Sequence, residues 1–127
     1  MYKEEDLTKK IIGIAMLVHS EIGSGFQEKV YHNAMIVALI ENNLEFETEK
    51  TTNILFHDET IGTFRTDLII KNKVILELKA VCGEMPKLFQ TQLISYLKAT
   101  NIEVGLLLNF GNESLEIKRL ARYKNYK

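Results

Sequence analysis

Two short stretches carry most of the chemistry available to this chain. Thr66-Asp67-Leu68-Ile69-Ile70 and Val74-Ile75-Leu76-Glu77-Leu78-Lys79-Ala80 are apolar runs broken by two acids and one lysine. In a strand, alternate side chains share a face. Val74, Leu76, Leu78 and Ala80 therefore point one way, and Ile75, Glu77 and Lys79 the other. A strand gains no stability from a carboxylate and an ammonium emerging together from Val, Ile and Leu, so another demand must place them there. If Lys71-Asn72-Lys73 forms a tight turn centred on Asn72, Ile70 faces Val74, and counting outward sets Asp67 opposite Glu77. Directly opposed residues have Cβ atoms roughly 4.5–5.5 Å apart. Two carboxylates at that separation repel unless a cation lies between them. Mg²⁺ suits the position, because it takes one or two carboxylates and completes its shell with water and substrate phosphate. The competing reading is a surface ion pair, Asp67–Lys79 or Glu77–Lys79, on an edge strand; spacing alone leaves both open. Beside a cation, Lys79 would hold the attacking water or stabilise the charge that builds on the phosphate.

Further residues could join this group. Glu28 lies in the first turn of a helix, where the dipole alone favours an acid. It stands three residues from Tyr31, so both share a face that could meet the sheet edge. Gln92 and Tyr96 are four apart on another helix and stack on one side. Their amide and phenol could orient a phosphate, a base or Lys79, or form a half-buried polar stripe beside Phe89, Leu93 and Leu97. His19 reaches the Glu28 region if Gly23-Ser24-Gly25 folds two helices together; otherwise it is a packing histidine. His32 and His57 read as exposed. Cys82 has no basic neighbour in sequence to make it a nucleophile. No Walker loop, Rossmann glycine pattern or Ser-His-Asp ordering is present.

The elements that must position these side chains follow from periodicity. Leu7, Ile11, Ile14, Ala15, Val18 and Ile22 recur at helical spacing and predict a first helix over 7–22, ended by Gly23-Ser24-Gly25. A second helix is expected from about Phe26 to Asn43, burying Val30, Ala34, Val37 and Ala38. Its capping box would be Ser24 with Gln27, or Gly25 with Glu28. Alternation then predicts strands over 46–56, 61–70 and 74–80, with His57-Asp58-Glu59-Thr60 as the first turn. Pro86 suits the start of a third helix, to about Thr100. Val104 to Asn109 is a continuous apolar run of the buried-strand kind, and 114–122 reads as a last strand, with a helix as the alternative. The order ααβββαβ(β) is one α/β domain over 1–127. A crossover from the third strand through the third helix makes that strand and 104–109 parallel, in a mixed sheet flanked by helices.

Composition narrows the classes. The chain has 127 residues, 46% hydrophobic and 26% charged, as expected for one globular domain rather than a disordered one. No apolar run approaches a membrane span, and the acidic start Glu4-Glu5-Asp6 is unlike a leader, so a cytoplasmic location is expected. A single cysteine permits no internal disulfide. The net charge of −1 gives no global pull on nucleic acid, so phosphate contacts need a local rim. Lys118, Arg119, Arg122, Lys124 and Lys127 offer one, unless they are simply a solvated tail.

Taken together, these residues resemble a known family. Asp67 followed by Glu77-Leu78-Lys79 is similar to the (P)D…(D/E)xK core of the restriction-endonuclease-like superfamily. Gln92-Leu93-Ile94-Ser95-Tyr96 resembles the QxxxY motif of its exonuclease-like branch. Gly25-Phe26-Gln27-Glu28-Lys29-Val30-Tyr31 is similar to the GxxExxY motif of a family of small prokaryotic proteins assigned to that superfamily. Gly105-Leu106-Leu107-Leu108-Asn109-Phe110-Gly111, followed by Lys118-Arg119, is similar to that family's ending. The likeness spans about residues 7–122. The proline of the motif is absent, with Arg65-Thr66 before Asp67, as is common in the superfamily; no acidic or lysine position is replaced.

The resemblance implies an αβββαβ core with Asp67 and Glu77 as Mg²⁺ ligands, Lys79 as the catalytic lysine and Glu28 as a helical acid near the metals. It also implies that Gln92 and Tyr96 support the site or the substrate, and it places His19 where the family often has a histidine. The resulting expectation is a nuclease hydrolysing phosphodiester bonds, in DNA rather than RNA. Mg²⁺ would be its cofactor, with Mn²⁺ as a substitute, and the Leu78 carbonyl a further ligand. The alternative is a non-catalytic nucleic-acid-binding or regulatory domain that keeps the fold. No membrane partner is expected, and a homodimer would let so small a domain grip a duplex.

Overall fold

The computed structural model describes residues 3–123; Lys124 and Lys127 lie outside them. The elements run α1 (Glu5–Ile22), α2 (Glu28–Glu41), β1 (Phe46–Phe56), β2 (Glu59–Ile70), β3 (Val74–Lys79), α3 (Lys87–Thr100), β4 (Val104–Asn109) and β5 (Glu116–Ala121). The strands form one sheet in the order β1-β2-β3-β4-β5. β3 and β4 are parallel, and every other neighbouring pair is antiparallel. This is the mixed α/β sheet expected from the sequence, and 116–121 is indeed a strand. No helix among the described residues is long and apolar enough to cross a membrane.

The β2–β3 turn sets the register on which the site depends. Lys71 and Asn72 take left-handed φ values of 53° and 57°, and Lys73 N–H closes the turn on the Ile70 carbonyl at 2.9 Å. An amide side chain tolerates that region better than most. Ile70 then pairs with Val74, Ile69 with Ile75 and Leu68 with Leu76.

Alternation divides the core into two layers. Leu68, Ile70, Val74, Leu76 and Leu78 meet α1 and α2 on one face, while Ile69, Ile75 and Leu107 meet Leu93 and Leu97 of α3 on the other. β3 and β4 are covered on both faces, which is why their sequences are nearly unbroken apolar runs. Each fully buried Leu or Ile contributes about 1.5–3 kcal/mol, so an acid retained in β3 must answer to something other than stability.

Two expectations about α2 are corrected. The residues it buries are Tyr31, Met35 and Leu39, whereas Val30 and Val37 are exposed and Ala34 and Ala38 half-buried. Apolar residues fall on both sides of the helix, and Tyr31, Met35 and Leu39 take the inner row. The capping box is also absent. The helix starts at Glu28, and its N-cap, Gln27, makes no side-chain cap bond. The Tyr31 hydroxyl holds the preceding loop instead: it donates to Gly23 O at 2.6 Å and accepts from Phe26 N–H at 3.3 Å.

Candidate active site

One step outward from the Leu68–Leu76 pair, the ladder stops and side chains take over. Asp67 N–H donates to Glu77 Oε2 at 3.0 Å, and Leu78 N–H donates to Asp67 Oδ2 at 2.8 Å. Asp67 and Glu77 are thus directly across from each other and clasp each other's strand. Among the described residues, neither Asp67 Oδ1 nor Glu77 Oε1 has a hydrogen-bond partner. Glu77 is 6% exposed, on a strand interior to the sheet. Lys79, on the same side of β3, lies with Nζ 4.5 Å from the Phe89 ring centroid. The ion pairs among the described residues are Lys3–Glu103, Lys9–Glu5 and Lys50–Glu47, so Lys79 is in none. The edge-strand ion pair considered for Asp67, Glu77 and Lys79 is not what the chain builds.

Electrostatics tie the group together. Burial first, and then the Asp67 charge, push the Glu77 carboxyl up to about 8; a backbone hydrogen bond and Lys79 oppose this, and Glu28 adds to it. The Glu28 carboxyl is also raised, chiefly by burial and then by Asp67, against the pull of Lys79 and His32. Burial and then the charges of Glu77 and Asp67 raise the Tyr96 phenol. Glu28, Asp67, Glu77, Lys79 and Tyr96 therefore share one field, although they come from four elements. Among the described residues, no three His, Cys, Asp or Glu side chains gather closely enough to hold a metal by themselves. Two carboxylates, each with an unbonded oxygen, fit a hard cation that fills its shell with carbonyl oxygen, water and phosphate.

The sequence model of the PD-(D/E)XK nuclease superfamily matches residues 5–120. This chain belongs to that superfamily. The match contains both helices before the sheet and every residue of the acidic group. No curated protein is significantly similar to it. The crystal structure of SSO0001 is similar in fold: its TM-score is 0.58 at 21% identity over 76% of this chain. The chain spans about half the length of that protein.

Within the superfamily fold, the other candidates fall in different places. Tyr31 is fully buried and stacked on Phe110 at 4.8 Å and 14°, so it pins the Gly23–Phe26 loop that delivers Glu28. Tyr31→Phe is expected to cost about 1 kcal/mol in urea denaturation and to lower any activity that depends on Glu28. His19 is buried and donates from Nε2 to Asn112 O at 2.9 Å. Gln92 is exposed. Tyr96 is half-buried and stacks on Phe64 at 4.2 Å and 7°. Of the basic tail, Arg119 donates to Lys3 O, and Lys118 is exposed on β5, with β4 between it and β3. His32, expected to be exposed, is half-buried and bonded to Thr48 Oγ1 at 2.9 Å. Thr48 Oγ1 donates in turn to Asp67 O at 3.4 Å.

The residues that sequence reasoning missed are the supports at the end of β4. Phe110 N–H donates to Lys79 O at 2.8 Å, and the Phe110 ring backs Tyr31. The side chain of Asn109, fully buried, bonds Val81 N–H at 2.9 Å and Val81 O at 3.0 Å. Asn112 does the same to Gly83, at 2.7 and 2.8 Å. One four-residue run thus holds both the exit of the lysine strand and, through Tyr31, the loop before Glu28. At Gly111 an added Cβ would lie 2.3 Å from Val81 O and 2.5 Å from Val81 N. Backbone cannot move aside as a side chain can, so Gly111→Ala is expected to cost about 1–3 kcal/mol by urea denaturation.

Proposed function

We propose that this protein hydrolyses phosphodiester bonds in DNA, with Mg²⁺, or Mn²⁺ in its place, as cofactor. The observation that carries this reading is the pairing of half-buried Asp67 on β2 with buried Glu77 on β3, both strands interior to the sheet, with an ammonium nearby that neutralises neither acid by direct contact. Asp67, Glu77 and the Leu78 carbonyl would hold the cation, with Glu28 serving a second position or an ordered water. When bound, a divalent cation supplies charge neutralisation and acidifies water for attack on phosphorus. Lys79 orients the attacking water and offers its charge to the phosphate oxygens as the P–O bond breaks. Half-buried beside Phe89, its ammonium acts where water screens it less than in bulk. Gln92 and Tyr96, from α3, would support the site or the substrate. Phosphate contacts from backbone amides and from Lys118 would make binding salt-sensitive, with little reading of bases.

A panel of labelled single- and double-stranded DNA and RNA, incubated with Mg²⁺, Mn²⁺ or EDTA, tests the proposal. DNA cleavage that needs the metal is the expected result. Binding without cleavage under either metal would favour the non-catalytic alternative.

A further inference from the structure

The outer side of α2 carries large apolar side chains among its polar ones. Val30, Val37 and Ile40 are 39%, 56% and 61% exposed there, directly opposite the buried row Tyr31, Met35 and Leu39. Exposed apolar side chains clustered within a polar rim mark an interaction surface. At 3.6 residues per turn, every fourth residue forms a ridge. Lys29, Asn33, Val37 and Glu41 make up one such ridge, all exposed, with Val30 and Ile40 flanking it. The ridge is basic at one end and acidic at the other, about 18 Å apart at 1.5 Å per residue. Among the described residues, neither Lys29 nor Glu41 is in an ion pair within the chain. A reversed copy of this ridge is therefore its own electrostatic complement.

We propose that α2 pairs antiparallel with α2 of a second copy of this chain, about a two-fold axis level with Met35. Residues equidistant from that level then meet. Lys29 faces Glu41 of the partner subunit and Glu41 faces Lys29 of the partner subunit, as an isologous interface requires. The same axis sets Val30 against Ile40 of the partner subunit and brings Asn33 beside Val37 of the partner subunit. Packing i±4 ridges against each other crosses the helices at about 50°, the commonest class in globular proteins. Glu28 lies on the other flank of α2, within the field of Asp67 and Lys79, so the pairing leaves both acidic sites uncovered. The inference does not depend on nuclease activity.

Sedimentation velocity of the whole chain over a concentration series tests it. Wild type should sediment at twice the 14.6 kDa chain mass, and Val37→Glu at the single-chain mass with its helix content intact by circular dichroism. Lys29→Glu and Glu41→Lys should each weaken association roughly tenfold or more, because each sets like charges face to face twice per dimer. The double variant Lys29→Glu/Glu41→Lys should recover most of that loss. Both of these positions are exposed, so the charge series stands even if Val37→Glu fails to fold. A wild-type chain still monomeric at about 100 μM, or a dimer indifferent to these reversals, would overturn the proposal. So would a double variant weaker than either single one.

Discussion

Lys79→Ala is expected to lower metal-dependent cleavage by about 10²–10³-fold, the usual cost of deleting one group aimed at developing charge. Binding of the same labelled strand, followed by fluorescence anisotropy, should change only a few-fold. The asymmetry follows from where the ammonium sits. It forms no ion pair that its removal would break, and its main neighbour is the Phe89 ring. Deleting it therefore leaves the fold intact and the carboxylates in place. What disappears is the positive charge that the proposed function sets next to the reacting phosphate. Lys79→Arg should not rescue fully, because a planar fork does not replace a compact point charge. Equal losses in binding and cleavage would move Lys79 from the chemical step to simple substrate attraction.

Glu77→Gln is expected to abolish the same activity and yet make the metal-free chain more stable. In the folded chain the Glu77 carboxyl keeps its proton up to about 8, whereas an unfolded glutamate releases it near 4.3. Between those values the folded state binds more protons than the unfolded one, so stability falls as pH rises. The favourable contribution is fully present below about pH 4 and is lost as the pH passes 8. Glutamine carries no charge to desolvate. Urea denaturation in EDTA should thus find the two proteins alike near pH 4–5, and the variant ahead by on the order of 2–5 kcal/mol at pH 8.5. Excess Mg²⁺ should stabilise wild type and not the variant. A gap that does not grow with pH would mean that Glu77 is not held as a desolvated acid.

The parts of the fold legible in the sequence are those governed by short-range rules. Alternation in 46–56 and the apolar run 104–109 marked strands whose limits match the structure. Counting outward from Asn72 set Asp67 across from Glu77, because side-chain period and turn geometry are local. The side of α2 that faces the sheet was not legible, since Val30 and Val37 are as apolar as Met35 and Leu39. The loop before Glu28 defied the capping rules because its fastening, the Tyr31 hydroxyl, comes from further along the same helix. The supports of the site were hidden for a plainer reason. Asn109 meets Val81 across 28 residues and His19 meets Asn112 across 93, and no spacing pattern announces such a pairing. His32 looked exposed for the same reason, as its partner Thr48 lies on a strand that had yet to be placed beside it.

Isothermal titration of the metal-free chain with Mn²⁺ near pH 7 bears most directly on the role of Asp67 and Glu77. Wild type should bind the ion and release close to one proton, drawn from Glu77, as buffers of different ionisation enthalpy will reveal. Asp67→Asn/Glu77→Gln should do neither. Binding of the same strength in the double variant, or no binding in wild type, would contradict a divalent cation as the reason these two acids share one gap in the sheet.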